Sequence, residues 1–296
     1  MLFEGVVMQA QRKEILSVTD KMWRVVTFLL MLIAAAFVLY PILYIVFGSF
    51  KANQELLMGG IHILPKQFIF SNYVDAWKQA NFSRYTFNSF YLAFGVMFLT
   101  LLVSSSAGYV FSRANFRFKE TLYGIYIAFM FVNVGSVTLR PLFELAVKIH
   151  LNTNLISVIL IAVGAGQARY IFLCRGFVNS LPKELDEAAT IDGCSFFQIY
   201  YLIIVPLLKP ILATIALLSF RAGWNQYIVP MVFTMSKPNL RPLTVGVIML
   251  KSSGDATAAW NVMFAGCAIS IVPILCIYII ANKYFMTGLT SGSVKG

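Results

Sequence analysis

The chain has 296 residues, 59% of them hydrophobic and only 12% charged, with a mean hydropathy of +0.78. Soluble domains carry about twice that charged fraction, so the composition excludes a single soluble core, and it excludes intrinsic disorder as well. The formal net charge of +11 is spread over short segments between apolar runs, which fits membrane orientation and gives no reason to expect a nucleic-acid partner.

Apolar runs of about 20 residues, enough to cross a bilayer, follow in chain order. The first covers 25–50; it is too long for a signal peptide and lacks a small-residue cleavage pattern, so it is expected to be a retained span. The second covers 90–111 and the third 122–139. The fourth, 155–177, is broken by Arg169, and the fifth, 203–233, by Lys209, Pro210 and Arg221. The sixth covers 258–284. The expected fold is an all-α membrane protein of about six transmembrane helices, embedded in lipid, with a long fifth span that tilts or begins along the interface.

Orientation follows from the first span. Arg12, Lys13, Lys21 and Arg24 precede it, and only Lys51 comes just after it, which places both termini in the cytoplasm. Loop 51–86 is then external and loop 179–201 internal.

Several chemistries are missing. There is no GxxxxGK[ST] phosphate cradle. His62 and His150 are the only histidines, in neither a metal-binding HExxH nor a Ser/His/Asp set. Cys174, Cys194, Cys267 and Cys276 show no CxxC and no metal-ligand spacing. Acidic residues are nearly absent from the spans, which counts against a proton relay. No enzyme activity, cofactor or metal is expected on this chain, and transport against a gradient would draw its energy from a partner.

The internal loop carries the strongest signal. Pro182 suits a helix's first turn, with Glu184, Asp186 and Glu187 at the positive N-terminal end. Ala188 and Ala189 give a slim surface, Gly193 permits a turn, and 196–201 resumes an apolar helix. The product is a short helix–turn–helix on the cytoplasmic face. It fits another protein's groove, and it fits a solvated surface loop equally well.

Glu187-Ala188-Ala189, then Gly193, then Ile203-Ile204-Val205-Pro206 resembles the EAA loop of ABC importer permeases, with Val205 in place of the usual leucine. Further matches resemble the carbohydrate-importer branch, maltose-permease-like. These are Leu64-Pro65 with Phe68, Asn72-Tyr73, Asn88-Ser89, Leu151-Asn152-Thr153, Trp224-Asn225, and the tail from Gly288-Leu289 to Val294-Lys295-Gly296. The resemblance covers nearly the whole chain. It implies a cytoplasmic segment 1–24, a transmembrane domain 25–284 with a coupling loop 179–206, and a cytoplasmic tail 285–296, in a bacterial inner membrane. It also implies that the loop docks on an ATPase through Glu187, Ala188, Ala189, Asp192 and Gly193. The implied partners are a second homologous permease, two ATPase subunits holding ATP and magnesium, and an extracytoplasmic solute-binding protein. The alternatives are an ABC permease for another solute class and a self-contained channel or secondary transporter.

Arg169 and Arg221 fall inside spans, and Arg140 at an outer end. A cation at mid-bilayer costs roughly 2.5 kcal/mol or more, and no acid lies in the same spans as Arg169 and Arg221. Uncharged residues are commoner here in the resembling family. One reading is a cavity favouring anionic sugars such as uronate oligosaccharides; the others are snorkelling and pairing with the partner permease. Trp224, Asn225 and Gln226, followed by Tyr227, suit sugar rings and hydroxyls, and they suit helix packing as well.

Overall fold

The computed structural model describes residues 18–59, 62–79, 81–132, 135–250 and 259–290. Residues 1–17 and the tail Val294-Lys295-Gly296 lie outside the described residues. Every regular element within them is helical, which bears out the all-α reading.

Helix α1 (Val18–Gly48) carries Asp20, Lys21 and Arg24 near its start and is apolar on all sides after them. Its side chains from 22 to 43 are exposed in this chain, and burial begins only near its end. There Tyr44 meets Phe264 edge-on at 5.9 Å. Two short helices follow, α2 (Asn53–Leu57) and α3 (Ser71–Gln79).

The centre of the bundle is α4 (Phe82–Arg113) between α7 (Leu155–Ser180) and α11 (Lys209–Trp224). α4 and α7 run in the same direction at very short range. A Cβ on Gly95 would come within 2.5 Å of Ile159, and one on Gly108 within 2.5 Å of Cys174. Small residues at a membrane helix contact permit this approach. α11 lies antiparallel on the other flank, where Phe220 meets Phe94 and Trp224 meets Phe90. α14 (Trp260–Thr290) closes that side, with Val262 and Ala265 in the same core.

Two asparagines hold the outer ends together. Buried Asn72 donates Nδ2 to the carbonyls of Ser49 (2.8 Å) and Lys51 (2.9 Å), and its Oδ1 accepts from Asn261 Nδ2 at 2.8 Å. Asn88 donates Nδ2 to the carbonyls of Asn239 (2.9 Å) and Arg241 (3.0 Å). Its neighbour Ser89 accepts the Leu243 N–H at 2.7 Å. These motif residues therefore act as structural clamps, tying loop backbone groups to the helix ends, with Arg84 adding a second donor to the Asn239 carbonyl at 3.0 Å.

Two expected spans are corrected. Residues 122–139 are not one helix. α5 (Lys119–Ala128) stops, Gly135 adopts φ +58°, a 3₁₀ turn Gly135–Thr138 follows, and α6 (Leu139–Lys148) begins. Ten residues rise about 15 Å, half the hydrocarbon thickness. The fifth run, 203–233, is also divided. α8 (Glu184–Ile191) and α9 (Phe196–Ile199) precede a π-helical segment Tyr200–Ile204 and α10 (Val205–Leu207). A 78° bend separates Phe196–Leu207 from α11, and α12 (Ile228–Phe233) forms its own short piece. Pro206 and Pro210 have no N–H to give the helix ladder, which explains why the chain turns there. Pro238–Leu240 makes a 3₁₀ turn and α13 (Leu243–Met249) completes the set. Among the described residues, four helices are long and apolar enough to cross a membrane, or five with the bent pair counted as one span.

Candidate functional site

The loop after α7 folds as the helix–turn–helix its sequence implies. α8 starts with Glu184, Asp186 and Glu187 in its first turn, where the helix dipole favours them. Its end is a Schellman motif. Cys194 N–H bonds the Ala189 carbonyl at 2.9 Å, Gly193 N–H bonds the Thr190 carbonyl at 3.0 Å, and Gly193 sits at φ +82°. Ser195 then starts α9 with a capping box. Its Oγ accepts from Gln198 N at 3.4 Å, and its own N–H donates to Gln198 Oε1 at 2.7 Å.

This element is anchored to the C-terminal end of α4. Arg113 Nε donates to Asp186 Oδ2 at 2.9 Å, and its Nη2 to the Leu181 carbonyl at 2.8 Å. Tyr109 donates to Asp186 Oδ1 at 3.3 Å. The Tyr109 ring packs on Phe196 (4.7 Å) and Tyr200 (5.4 Å), and the Tyr200 hydroxyl shares a 2.7 Å hydrogen bond with Ser105 Oγ. Ala189 is buried against the bundle, whereas Glu187, Ala188, Asp192 and Gly193 are exposed. Beside them Ile191 is 87% and Phe197 73% exposed. The exposed face of the α8–α9 element thus carries the acids Glu184, Glu187 and Asp192 beside two large apolar side chains, a surface suited to a groove. Sequence reasoning singled out neither Arg113, Tyr109 and Tyr200 nor the Ser195–Gln198 cap. The Ser-x-x-Gln spacing was a usable signal for the cap; the rest come from distant parts of the chain.

The second candidate set divides. Trp224 is 3% exposed, with its ring packed against Phe90 (5.0 Å) and Phe220 (6.0 Å) in the core. Asn225 and Gln226 instead line a cavity of about 1100 Å³ between α6, the outer half of α7 and the 225–229 break. Its walls are mostly apolar, including Leu139, Leu142, Leu160 and Ile161. The Gln226 carbonyl accepts from Thr244 Oγ1 at 2.6 Å, which ties the break to α13. Arg140 pairs with Glu144 at 3.0 Å, with side chains 89% and 60% exposed; an exposed pair of this kind adds little stability. Arg169 and Arg221 are both exposed in this chain, and among the described residues neither forms an ion pair. Among the described residues there is also no cluster of three or more metal-ligating side chains.

A family model described as the inner membrane component of binding-protein-dependent transport systems matches residues 5–289. The putative ABC transporter permease protein ORF2 of Caldicellulosiruptor sp. is 33% identical over 258 residues, covering 86% of this chain and 91% of that protein. The arabinooligosaccharides transport system permease protein AraQ of Bacillus subtilis is 30% identical over 277 residues, covering 93% and 96%. A chain in the crystal structure of a bacterial ABC transporter involved in import of the acidic polysaccharide alginate superposes with a TM-score of 0.76 at 26% identity, covering 91% of this chain and 98% of that one. With a membrane bundle, a coupling-type loop held on α4 and relatives matched nearly end to end, the chain belongs to the inner membrane components of binding-protein-dependent transport systems, the permease subunits of ABC importers.

Proposed function

We propose that this subunit carries a carbohydrate, an oligosaccharide, across a bacterial inner membrane in an ATP-driven importer. The observation that carries the reading is the α8–α9 element: an exposed Glu187-Ala188 face, a Schellman stop at Gly193, and a rigid tie to α4 through Arg113. A movement imposed on α8 passes directly to α4, the helix at the centre of the bundle. The sugar assignment draws support from several relatives named for sugar transport, among them the AraQ protein and the melibiose, raffinose and stachyose import permease of Bacillus subtilis, 30% identical over 278 residues. Those names favour carbohydrate over other solutes and an ABC system over a self-contained channel or secondary transporter.

In this reading two ATPase subunits bind ATP and magnesium and hold α8 in their grooves. A second homologous permease faces the exposed side of the cavity, and an extracytoplasmic binding protein delivers the sugar. Both termini are cytoplasmic. ATP binding draws the ATPases together, the coupling elements follow, and the cavity turns outward; hydrolysis resets it. The chain itself hydrolyses nothing; its residues position, transmit and line the path.

A cysteine at Ala188, in a complex purified through this subunit, tests the reading. It should crosslink to a copurifying ATPase, and that ATPase should be stimulated by sugar together with its binding protein. A preparation that transports sugar with no ATPase present would overturn the reading.

A further inference from the structure

We propose that Arg169 and Arg221 form one recognition site for a substrate carboxylate at the inner end of the cavity, so that the sugar carried bears a uronate group. This deepens, and rests on, the importer reading above.

The placement comes from two helix faces. On α7, Ile161 and Ala165 line the cavity, and Arg169 follows at the next helical step. On the other wall Asn225 lines it, and Arg221 lies one helical step back along α11. Side chains four positions apart share a helix face. The two arginines therefore continue opposite walls of the cavity by one turn toward the cytoplasm. The Arg169 guanidinium lies 4.8 Å from the ring centroid of Tyr170, a side chain whose electrostatics Arg221 also influences.

Contacts along α4 set the levels: Phe220 meets Phe94 and Gly95 meets Ile159, so Arg221 starts level with the cavity wall of α7, and Arg169, about 15 Å further along that helix, folds its guanidinium back over Gly166 toward the cavity. Each cation is costly away from water. Among the described residues the ion pairs occupy Lys51, Arg113, Arg140 and Arg175, so no acid of these residues neutralises the arginines. Their charge is available to an anion that enters through the cavity. Guanidinium forks match a carboxylate geometrically. The cavity above them, about 1100 Å³ with apolar walls and the amides of Asn225 and Gln226, has room for sugar rings and groups for their hydroxyls. That combination fits an acidic sugar better than a small inorganic anion.

The test uses the assembled transporter held outward-facing with a nonhydrolysable ATP analogue, with the binding protein omitted so that its own specificity does not enter. The probes are trigalacturonate against neutral galactotriose, and trimannuronate against mannotriose, with retention measured by equilibrium dialysis. For at least one pair the acidic member should bind about tenfold more tightly, the size of a charge-assisted hydrogen bond. Arg221→Gln should abolish most of that preference and Arg169→Gln part of it, while Arg221→Lys keeps some. Equal retention of acidic and neutral members in both pairs overturns the inference, as does an unchanged preference in Arg221→Gln. Loss of the second permease from the Arg221→Gln complex on gel filtration also overturns it, since the arginine would then serve a partner acid. Absence of any copurifying ATPase overturns the importer reading and this inference with it. Copurifying ATPase without an acidic preference overturns this inference alone.

Discussion

Arg113 closes on Asp186 at 2.9 Å across a gap of 73 positions, joining the last turn of α4 to the first turn of α8. The side chains are 8% and 17% exposed, so water screens the pair poorly. Removing one partner strands the other, at a cost of about 2 kcal/mol for a partly buried pair. Arg113→Ala also frees the Leu181 carbonyl, whereas Asp186→Asn retains an oxygen for Tyr109. Arg113→Ala is therefore expected to be the more severe variant. Its complex should still assemble and hydrolyse ATP, while sugar uptake falls about tenfold or more because α8 no longer moves α4. Equal losses of hydrolysis and uptake in proteoliposomes would contradict this.

Gly193 isolates a purely backbone effect. Its φ is +82°, and a Cβ built there meets nothing within 4 Å. Substitution costs only the left-handed penalty of about 1–2 kcal/mol, spent at the turn between α8 and α9. Gly193→Asn should be tolerated best, since asparagine visits that region. Gly193→Val should be worse, and Gly193→Pro, which also removes the N–H to Thr190, worst. The order is read from sugar-stimulated ATP hydrolysis, with membrane insertion unchanged in all three.

Trp224 and Gln226 lie two positions apart and should behave oppositely. Trp224→Ala empties a core position and should destabilise by about 3–5 kcal/mol, lowering the midpoint of thermal unfolding in detergent. Gln226→Leu should leave that midpoint nearly unchanged and raise the sugar concentration for half-maximal transport by about tenfold, since the cavity loses a hydroxyl partner.

In the first turn of α5, Arg175 donates to Glu120 at 2.6 Å and holds its carboxyl below the ordinary value of 4.5. Glu120 binds protons less readily folded than unfolded. The pair's stabilisation is therefore complete above the ordinary value and disappears as pH falls through the lowered folded one. Wild type and Glu120→Gln should differ in unfolding temperature at pH 7 and converge in strong acid, with a small difference because the carboxylate is exposed.

Short-range signals were the legible ones. The α8–turn–α9 element could be read because Pro182, the acids, Gly193 and the return to apolar residues lie within a few turns of one another. The long spans could be read because hydropathy sums over 20 residues. The break at 128–139 escaped because hydropathy ignores the local conformation that Gly135 adopts. Packing was one of two readings open for Trp224, but its neighbours Phe90 and Phe220 escaped because they are set by how α4 and α11 cross. Arg113 escaped for the same reason: at a helix end it resembles any orientation-setting cation, and only the fold places Asp186 beside it. Asn72 and Asn88 were visible as motif residues, but their role as backbone clamps depends on loops from far along the chain.

The orientation of the bundle can be tested directly. Asn72 sits at the end that gathers α1's C-terminus, α3 and α14's N-terminus, since it bonds Ser49, Lys51 and Asn261. The α8 element sits at the opposite ends of α4 and α7. From the cations ahead of the first span, the α8 end is expected to face the cytoplasm. A cysteine at Val74, exposed on α3, should react with an impermeant maleimide on intact cells, while one at Glu184 should react only after permeabilisation. Val74 is the better external site because it avoids the buried Asn72 clamp, so labelling leaves the fold intact. The reverse pattern would put the docking face outside, away from ATP, and no importer mechanism through α8 could then operate.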